Sequence, residues 1–354
     1  MQLDSVRELK AALQKSVVAP LMEPKAMPRT LALAAGPPDA THRTLALGIA
    51  RKGTDDFQLA VRIQRPELQS SAQLDAIRSQ AKGEVDVRYI GRLIKRARRI
   101  VTRTVGRAAL VVAPAVAVPW YQKRCRPLRI GASIGHYKIT AGTLGCFVKS
   151  RADGTVMILS NNHVLANENN ANKNGAKPGD DILQQGQYDG GKRPGDVIGK
   201  LADFVKLKAI GANMVDCAVC SIKKTIKYDY KNVGDWGALA GLGPAFLDRG
   251  TKVRKTGRTT GPTEGSVTAF EMDNVVITYD LGDLTFNNQI EIEGAGNEAF
   301  SAGGDSGSLI VDADLTGIGL LFAGGDHGGS NNKGLTYANP LKDVLDALKV
   351  DLLY

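Results

Sequence analysis

The residues whose types and spacing could do chemistry in this chain are a histidine, an aspartate and a serine. Ser306 lies in the glycine-rich stretch 303–308, a pattern typical of a tight bend that exposes a nucleophile. A serine hydroxyl is a poor nucleophile, so it needs a histidine to take its proton and a carboxylate to orient that histidine. His163 follows an apolar, strand-like run, and Asp216 interrupts another one at 214–219. Because a lone buried carboxylate is costly, we expect Asp216 to pair with His163.

The order His163, Asp216, Ser306 resembles that of the trypsin-like (chymotrypsin-fold) serine proteases, whereas α/β-hydrolases and subtilisins order their triads differently. The separations are 53 residues (216 − 163) and 90 residues (306 − 216). The segments 253–261 and 265–269 are similar to the region before the serine in bacterial proteases of the α-lytic type. This resemblance covers roughly residues 130 to 350. It implies a mainly β fold, with two six-stranded antiparallel barrels and a C-terminal helix.

The resemblance also implies a serine endopeptidase, a hydrolase that works through an acyl-enzyme intermediate. Ser306 would attack the peptide carbonyl, His163 would carry the proton and Asp216 would orient the imidazole. The backbone N–H groups of Gly304 and Ser306 would form the oxyanion hole. This chemistry needs no cofactor or metal ion.

Two further residues are expected to support the oxyanion loop. Arg258 matches an arginine of the α-lytic type, and its guanidinium could hold the Asp305 carboxylate through two hydrogen bonds in a fixed fork. The loop would then form without the activating cut that zymogen-type relatives need. A cut after Arg129, freeing Ile130, is the alternative.

Substrate specificity is expected to depend on two segments beside the serine. The position six before the serine, where trypsins hold the aspartate that selects basic side chains, is Phe300 here. A small or apolar pocket is therefore expected, and such pockets discriminate weakly. The expected substrate-binding residues are Phe300, Ser301, Phe322, Ala323 and Gly324.

Composition agrees with a β-rich chain in two parts. The 354 residues are 43% hydrophobic and only 5% aromatic, and 40 of them are glycine, which favours many short strands joined by tight turns. Residues 1–92 are expected to form a helix and a small α/β domain that is regulatory, pro-region-like or used for oligomerisation. A basic linker at 93–129 would then lead to the protease domain at 130–354.

The net charge of +10 is concentrated in one stretch. Residues 92–129 hold eleven lysines and arginines and no acidic residue, which is more than the whole excess. Clustered basic charge gives sequence-independent affinity for phosphates, so a nucleic-acid-associated scaffold is one alternative function. A solvated interdomain segment is the simpler interpretation. An inactive protease fold used for binding is the other alternative.

The expected partners are a protein or peptide substrate and, through the N-terminal domain, a second copy of the chain. Asp180, Asp181 and Asp189 could bind calcium, but their spacing is that of an ordinary surface loop. Charged residues interrupt residues 1–21, so no signal peptide is expected, and no apolar run is long enough to span a membrane.

The cysteines indicate a compartment. The chain has four of them, and valine follows His163 where secreted relatives often have a bridged cysteine. We therefore expect a reducing environment, and with it a soluble, cytoplasmic protein.

Overall fold

The computed structural model describes residues 1–22, 45–95, 117–169, 175–244 and 250–354. Within these ranges the chain is mainly β and ends in a helix and a short strand, which confirms the fold class expected from the sequence. Residues 96–116, most of the predicted basic linker, lie outside the described ranges. The described helices are all too short or too polar to cross a membrane.

The N-terminal part mixes helices and strands. Its elements are the helix α1 (Leu3–Leu13), a π-helical turn (Gln14–Val18), α2 (Ala19–Met22), β1 (Leu45–Gly53), β2 (Asp56–Ile63), a 3₁₀ turn (Pro66–Ser70), α3 (Ala72–Gln80), β3 (Val85–Tyr89) and β4 (Leu93–Lys95). β1 and β2 form a hairpin, and β3 returns parallel to β2 after the α3 crossover. The apolar face of α1, with Val6 and Leu13 buried, packs on these strands.

The middle part consists of short strands. Its elements are a 3₁₀ turn (Trp120–Gln122), β5 (Leu128–Ile130), β6 (Ser133–His136), β7 (Gly142–Thr143), β8 (Cys146–Ser150), β9 (Val156–Ser160), α4 (Asn162–Leu165), two 3₁₀ turns (Asn167–Asn169 and Gln187–Asp189) on either side of β10 (Asp181–Leu183), β11 (Val197–Phe204), β12 (Ala212–Asn213) and β13 (Ala218–Ser221). Three sequential pairs of these strands, β6–β7, β8–β9 and β10–β11, are adjacent and antiparallel.

The C-terminal part has the longest strands. Its elements are β14 (Tyr228–Val233), β15 (Gly241–Leu242), β16 (Lys252–Gly257), β17 (Gly261–Asp273), β18 (Val275–Tyr279), β19 (Gly282–Phe286), β20 (Gln289–Gly294), β21 (Leu309–Asp312), β22 (Thr316–Gly325), β23 (Leu335–Pro340), α5 (Leu341–Leu348) and β24 (Val350–Leu352). In α5, Leu341, Val344, Leu345 and Leu348 are buried, and their i, i+3, i+4 spacing puts them on one face of the helix.

Six of these strands close into an antiparallel barrel. Its ring runs β16, β17, β20, β23, β22, β21 and back to β16, and every neighbouring pair is antiparallel. Alternate side chains point inward and fill the barrel with buried apolar residues, among them Val253, Val267, Ile292 and Ile310. The barrel therefore holds a packed core and positions the loop of Ser306, which precedes β21.

The other half differs from the second six-stranded barrel that was expected. Its sheet has eight strands in the order β24, β8, β9, β13, β11, β10, β6, β7, and it curls without closing within the described residues. The C-terminal strand β24 pairs with β8 and so takes up the edge that a closed ring would use. β9 and β13, which lead to His163 and follow Asp216, are central neighbours in this sheet.

The N-terminal strands extend the sheet of the closed barrel. β1 pairs antiparallel with β17, and β4 lies between β18 and β22. Two side chains strengthen this attachment: Gln64 exchanges two hydrogen bonds with the backbone of Val276, and the buried Arg62 pairs with Glu291 of β20. A separate role for residues 1–92 stays a prediction.

Candidate active site

His163 lies where a buried strand turns into a short helix. β9 ends at Ser160, and α4 begins two residues later, so His163 sits in its first turn with its side chain fully buried. The side chain of Asn161 donates to the backbone carbonyl of Asp216 at 2.8 Å. Because β9 pairs with β13, with Ser160 opposite Ala218, the register brings the residues after one strand beside those before the other.

Asp216 and His163 form a buried, hydrogen-bonded pair. The Asp216 Oδ2 to His163 Nδ1 distance is 2.5 Å, and Asp216 Oδ1 also accepts the His163 backbone N–H at 3.2 Å. Tyr279 of β18 donates its hydroxyl to the same Oδ2 at 2.6 Å. All three side chains are buried, so water does not weaken these bonds.

These contacts decide the charge state of the pair. Burial raises the pKa of the Asp216 carboxyl, but the attraction of His163 and the bonds from His163 and Tyr279 outweigh burial, and the pKa lies below its ordinary value. Burial, and then the neighbouring Asp216 charge, hold the pKa of Tyr279 well above its ordinary value. Asp216 is therefore a carboxylate near neutral pH, and Tyr279 stays a hydrogen-bond donor to it.

Ser306 is buried in the loop before β21, and its hydroxyl donates to the carbonyl of Phe322 at 3.2 Å. His163 Nε2 has no hydrogen-bond partner among the described residues. The structure thus joins His163 to Asp216 but leaves the hydroxyl of Ser306 on another acceptor. Hydrogen bonds through Thr143 still connect the Ser306 loop to the end of β9. Thr143 donates its N–H to the carbonyl of Ser306, and its own carbonyl accepts the hydroxyl of Ser160.

Two backbone N–H groups in the loop around Ser306 are not used by the hydrogen bonds of the loop itself. The N–H groups of Asp305 and Gly307 are used, by Ala302 and Leu321 at 3.1 and 2.8 Å. Those of Gly304 and Ser306 take part in no hydrogen bond within the described part of the chain. Gly304 has a φ of +108°, a conformation that other residues rarely adopt, and a Cβ there would collide with Thr259.

The expected pair of Arg258 with Asp305 does not form, and Lys255 is the cation at this carboxylate. Lys255 Nζ lies 3.5 Å from Asp305 Oδ2, with both side chains fully buried. Arg258 instead forms a two-pronged pair with Asp189, with 2.7 Å between Nε and Oδ2. The reason is the alternation of β16: residues 255 and 257 share the face toward Asp305, and a Cβ on Gly257 would lie 2.4 Å from its Oδ1.

Backbone and hydroxyl donors complete the setting of Asp305. The N–H groups of Thr259, Thr260 and Ala302 donate to it at 2.8, 3.1 and 2.9 Å, and the Thr260 hydroxyl donates at 2.8 Å. Arg258 still reaches the loop indirectly, because its N–H donates to the hydroxyl of Thr143, which donates to the carbonyl of Gly304. Asp305 is thus fixed from several directions within the chain.

The residues expected to bind substrate fall into two groups. Phe300 is 2% exposed and packs in the barrel core, and the hydroxyl of Ser301 bonds that of Thr336 at 2.7 Å. The second group, Phe322, Ala323 and Gly324, lies on β22, where β4 pairs with it. One expected pocket residue is thus part of the core, and the β22 edge is covered by another strand of the chain.

The chain resembles known proteins in part of its sequence and in its fold. No family model matches the chain. Protein NARROW LEAF 1 of Oryza sativa subsp. japonica is 27% identical over 242 residues, which are 60% of this chain and 40% of that protein. The chain thus spans less than half the length of this curated relative.

Solved structures that the chain resembles are chymotrypsin-fold serine proteases. Thermobifida fusca Protease A is 16% identical, with a TM-score of 0.43 and coverage of 65% of this chain and 99% of that one. A glutamic acid specific serine protease is 20% identical, with a TM-score of 0.44 and coverage of 64% and 100%. Nocardiopsis protease is 15% identical, with a TM-score of 0.44 and coverage of 65% and 100%. The chemistry of the site follows from its own atoms rather than from these likenesses.

Three residues at the site were not expected from the sequence. Tyr279 ends a strand like many other tyrosines, and nothing near it in sequence marks it as a donor to Asp216. Lys255 stands between two other basic residues, Arg254 in the same strand and Arg258 just after it, so only the side of β16 on which it lies distinguishes it. Glu168, whose carboxylate pairs with Lys95 and accepts the N–H of Leu281, follows His163 by five residues, and that spacing is its one sequence signal.

Proposed function

We propose that the chain is a serine endopeptidase in which Ser306 is the nucleophile, His163 the general base and Asp216 its orienting carboxylate. The observation that carries the proposal is the buried His163–Asp216 pair, 2.5 Å between Nδ1 and Oδ2, with Nε2 left without a partner in the described chain. A carboxylate on Nδ1–H fixes the tautomer whose lone pair is on Nε2. That atom is the one that must accept a proton from serine.

The steps follow from these positions. As Ser306 Oγ bonds to the peptide carbonyl carbon, His163 Nε2 takes the hydroxyl proton, and Asp216 stabilises the imidazolium. His163 then gives the proton to the leaving amine as the C–N bond breaks, which leaves an ester on Ser306. Water attacks this ester with His163 again as the base, and the acid product and free Ser306 result.

The amides of Gly304 and Ser306 are the donors available to the negative charge on the substrate oxygen. Both lie next to the nucleophile and are unused by the loop itself. Losing one such donor typically costs about 2.7–4 kcal/mol of transition-state stabilisation. Before attack, the Ser306 hydroxyl has to leave the Phe322 carbonyl, and rotation about its Cα–Cβ bond is the motion required.

The oxyanion loop of this enzyme needs no activating cut. Its aspartate, Asp305, is bound by a lysine of the same barrel and by backbone donors, so no newly freed amino group is required. Ile130 is buried in β5, which pairs with β14. Full activity of a chain whose Arg129 is replaced by glutamine is the expected result, and strict dependence on a cut at this position would contradict it.

Labelling with a fluorophosphonate, which reacts with activated serines, tests the proposal. The full chain is compared with Ser306→Ala, Asp216→Asn and Ser308→Ala, the last a neighbouring serine whose hydroxyl bonds the carbonyl of Asp305. We expect no labelling of Ser306→Ala and a rate about 10,000-fold lower for Asp216→Asn, because the histidine loses its correct tautomer. Ser308→Ala should still be labelled.

Ser306 is buried, and β4 covers the neighbouring edge of β22. The same measurement therefore includes Lys95→Glu, a variant that loosens β4 by replacing the cation that pairs with Glu168 and Asp280. A folded chain that is labelled neither in its natural form nor as Lys95→Glu would contradict the proposal. It would favour the rival function, a protease fold that binds peptides without cutting them.

A further inference from the structure

The edge of β22 nearest the nucleophile carries a strand from the N-terminal part of the chain. β4 runs antiparallel to it, with Lys95 opposite Ala323 and Ile94 opposite Gly324. Phe322, which precedes Ala323 in β22, is the residue whose carbonyl accepts the Ser306 hydroxyl. Extended peptides commonly bind by adding a strand to a sheet edge, so β4 lies where such a peptide would lead toward Ser306.

The side chains of β4 alternate between covered and open sites. Leu93 is fully buried in an apolar cluster with Ile277 and Phe322, whereas Ile94 is 45% exposed. Lys95 is turned inward again, and its ammonium group pairs with Glu168 and, at 3.0 Å, with Asp280. The edge of β22 is therefore flanked by an apolar site and, two residues on, an acidic one.

Glu168 is the buried part of the acidic site. It is 3% exposed, and one oxygen accepts the backbone N–H of Leu281 at 3.0 Å while the other faces Lys95. Its backbone has a φ of +60°, which is uncommon for a residue other than glycine. A buried carboxylate is costly unless it is paired or hydrogen-bonded, and the partner that Glu168 has in this pocket is a positively charged side chain.

Both residues of the acidic site lie close in sequence to residues of the His163–Asp216 site. Glu168 follows His163 by five residues, just after α4, and Asp280 directly follows Tyr279, whose hydroxyl bonds Asp216. A basic side chain bound there would therefore belong to a residue close to the bond that is cut. The site is separate from the position of Phe300, where trypsins select basic side chains.

We propose that β4 occupies the place of a substrate strand, and that Glu168 and Asp280 form the subsite for a lysine or arginine side chain of the substrate. This inference rests on the proposed protease function and names its substrate class: peptides with a basic residue near the cut and an aliphatic residue two positions before it. Lys95 and Leu93 are the chain's own occupants of the two sites, so a substrate must displace β4.

Binding of a peptide tests the subsite without any catalysis. The chain is the full-length protein with Ser306→Ala and Lys95→Glu, because a glutamate facing Glu168 and Asp280 repels β4 from the edge. Fluorescence anisotropy measures a labelled, amidated peptide with the sequence of residues 91–95, and its counterpart with alanine for lysine. We expect the lysine peptide to bind at least about tenfold tighter, the size expected of a hydrogen-bonded charge pair.

Two matched variants locate the effect. Adding Glu168→Gln should reduce the difference between the two peptides to less than about threefold, since the amide cannot pair with the ammonium. Adding Glu264→Gln, which alters an exposed carboxylate paired with Arg254, should leave the difference unchanged. If Lys95→Glu does not fold, Lys95→Ala removes the tethered cation without introducing a new charge, and circular dichroism decides which variant is used.

Equal binding of the two peptides, or binding of neither to a folded variant, would overturn the inference. Fluorophosphonate labelling of the matching chains with Ser306 intact reports separately on the proposed function. A chain that is not labelled but prefers the lysine peptide keeps the subsite and loses the protease. A chain that is labelled but treats both peptides alike does the reverse.

Discussion

Two carboxylates in this molecule are equally buried, and each accepts a hydrogen bond from a tyrosine hydroxyl. Asp216 accepts the hydroxyl of Tyr279 at 2.6 Å, and Glu291 accepts that of Tyr337 at 2.7 Å. Both side chains are completely removed from solvent. For each, burial raises the pKa of the carboxyl, but the paired base and the bonds around it outweigh burial and lower the pKa.

The difference is the base with which each carboxylate pairs. Arg62 donates to both oxygens of Glu291, at 2.7 and 2.8 Å, and an arginine stays charged at every physiological pH. His163 can gain and lose a proton, and its second nitrogen has no partner in the described residues. The two pairs are equally buried but differ in what they can do. Arg62–Glu291 is a permanent ion pair between an N-terminal strand and a barrel strand, whereas His163–Asp216 contains a base that can accept a proton.

The largest expected contrast between the pairs is in reactivity. Asp216→Asn should slow fluorophosphonate labelling about 10,000-fold, because the histidine loses its correct tautomer. Glu291→Gln should leave the rate of the folded protein within about twofold, since Glu291 contacts no reacting group. The rates are measured at a temperature where both variants are folded. Comparable slowing by the two substitutions would remove the distinction.

The second contrast is in stability. Glu291→Gln leaves the buried Arg62 guanidinium with Asp86, at 2.9 Å, as its remaining carboxylate, and breaking a buried pair costs up to about 3–5 kcal/mol of unfolding free energy. Urea denaturation measures this loss. As a control, the double variant Arg62→Met with Glu291→Leu removes both charges and leaves Asp86 paired with Arg88, so it should recover part of the loss. A loss below about 1 kcal/mol for Glu291→Gln would mean that the pair does not hold the N-terminal strands.

The sequence predicted the elements of the site better than the contacts between them. The residue types and order of His163, Asp216 and Ser306 were sufficient to propose a triad, and the structure brings the first two into contact. The C-terminal helix was predictable because its period of apolar residues is local. Whether the three residues act in catalysis stays a prediction.

Long-range pairing is what the sequence left undetermined. The β4–β22 pair joins residues more than 220 positions apart, and a three-residue strand has no sequence signal of its own. Arg258 was expected at Asp305 because it matches an arginine of the α-lytic type and a guanidinium suits a carboxylate, but strand alternation places Lys255 on the side that faces Asp305. The open eight-stranded sheet likewise depends on β24, which pairs with a strand 200 residues earlier.

The two tyrosines offer a smaller and closely matched contrast. Tyr279→Phe should lower the labelling rate about tenfold, as expected for one hydrogen bond to a charged group, and should raise the pKa of Asp216. The pH profile of labelling then shifts at its acid side, which a purely structural role would not produce. Tyr337→Phe should leave the rate and its pH profile unchanged and reduce only the stability, by about 1.5–3 kcal/mol.

The smallest contrast is in the response to acid. Both folded carboxyls have pKa values below their ordinary ones, 3.8 for aspartate and 4.5 for glutamate, so both contribute stability that is present above those values. That stability is lost as pH falls through the folded pKa, because the unfolded chain takes up the proton first. One such proton changes the unfolding free energy by at most about 1.4 kcal/mol per pH unit.

Urea denaturation between pH 7 and pH 3 therefore separates the two pairs by where each begins to weaken. Below about pH 4.5, the unfolding free energy of Glu291→Gln should fall less steeply with decreasing pH than that of the natural chain, by the contribution of one proton. For Asp216→Asn the same difference should begin nearer pH 3.8. If either variant loses stability in acid as steeply as the natural chain, that carboxylate is not ionised in the folded state. For Asp216, such a result would also count against the proposed function, because a neutral acid cannot stabilise the imidazolium that the reaction forms.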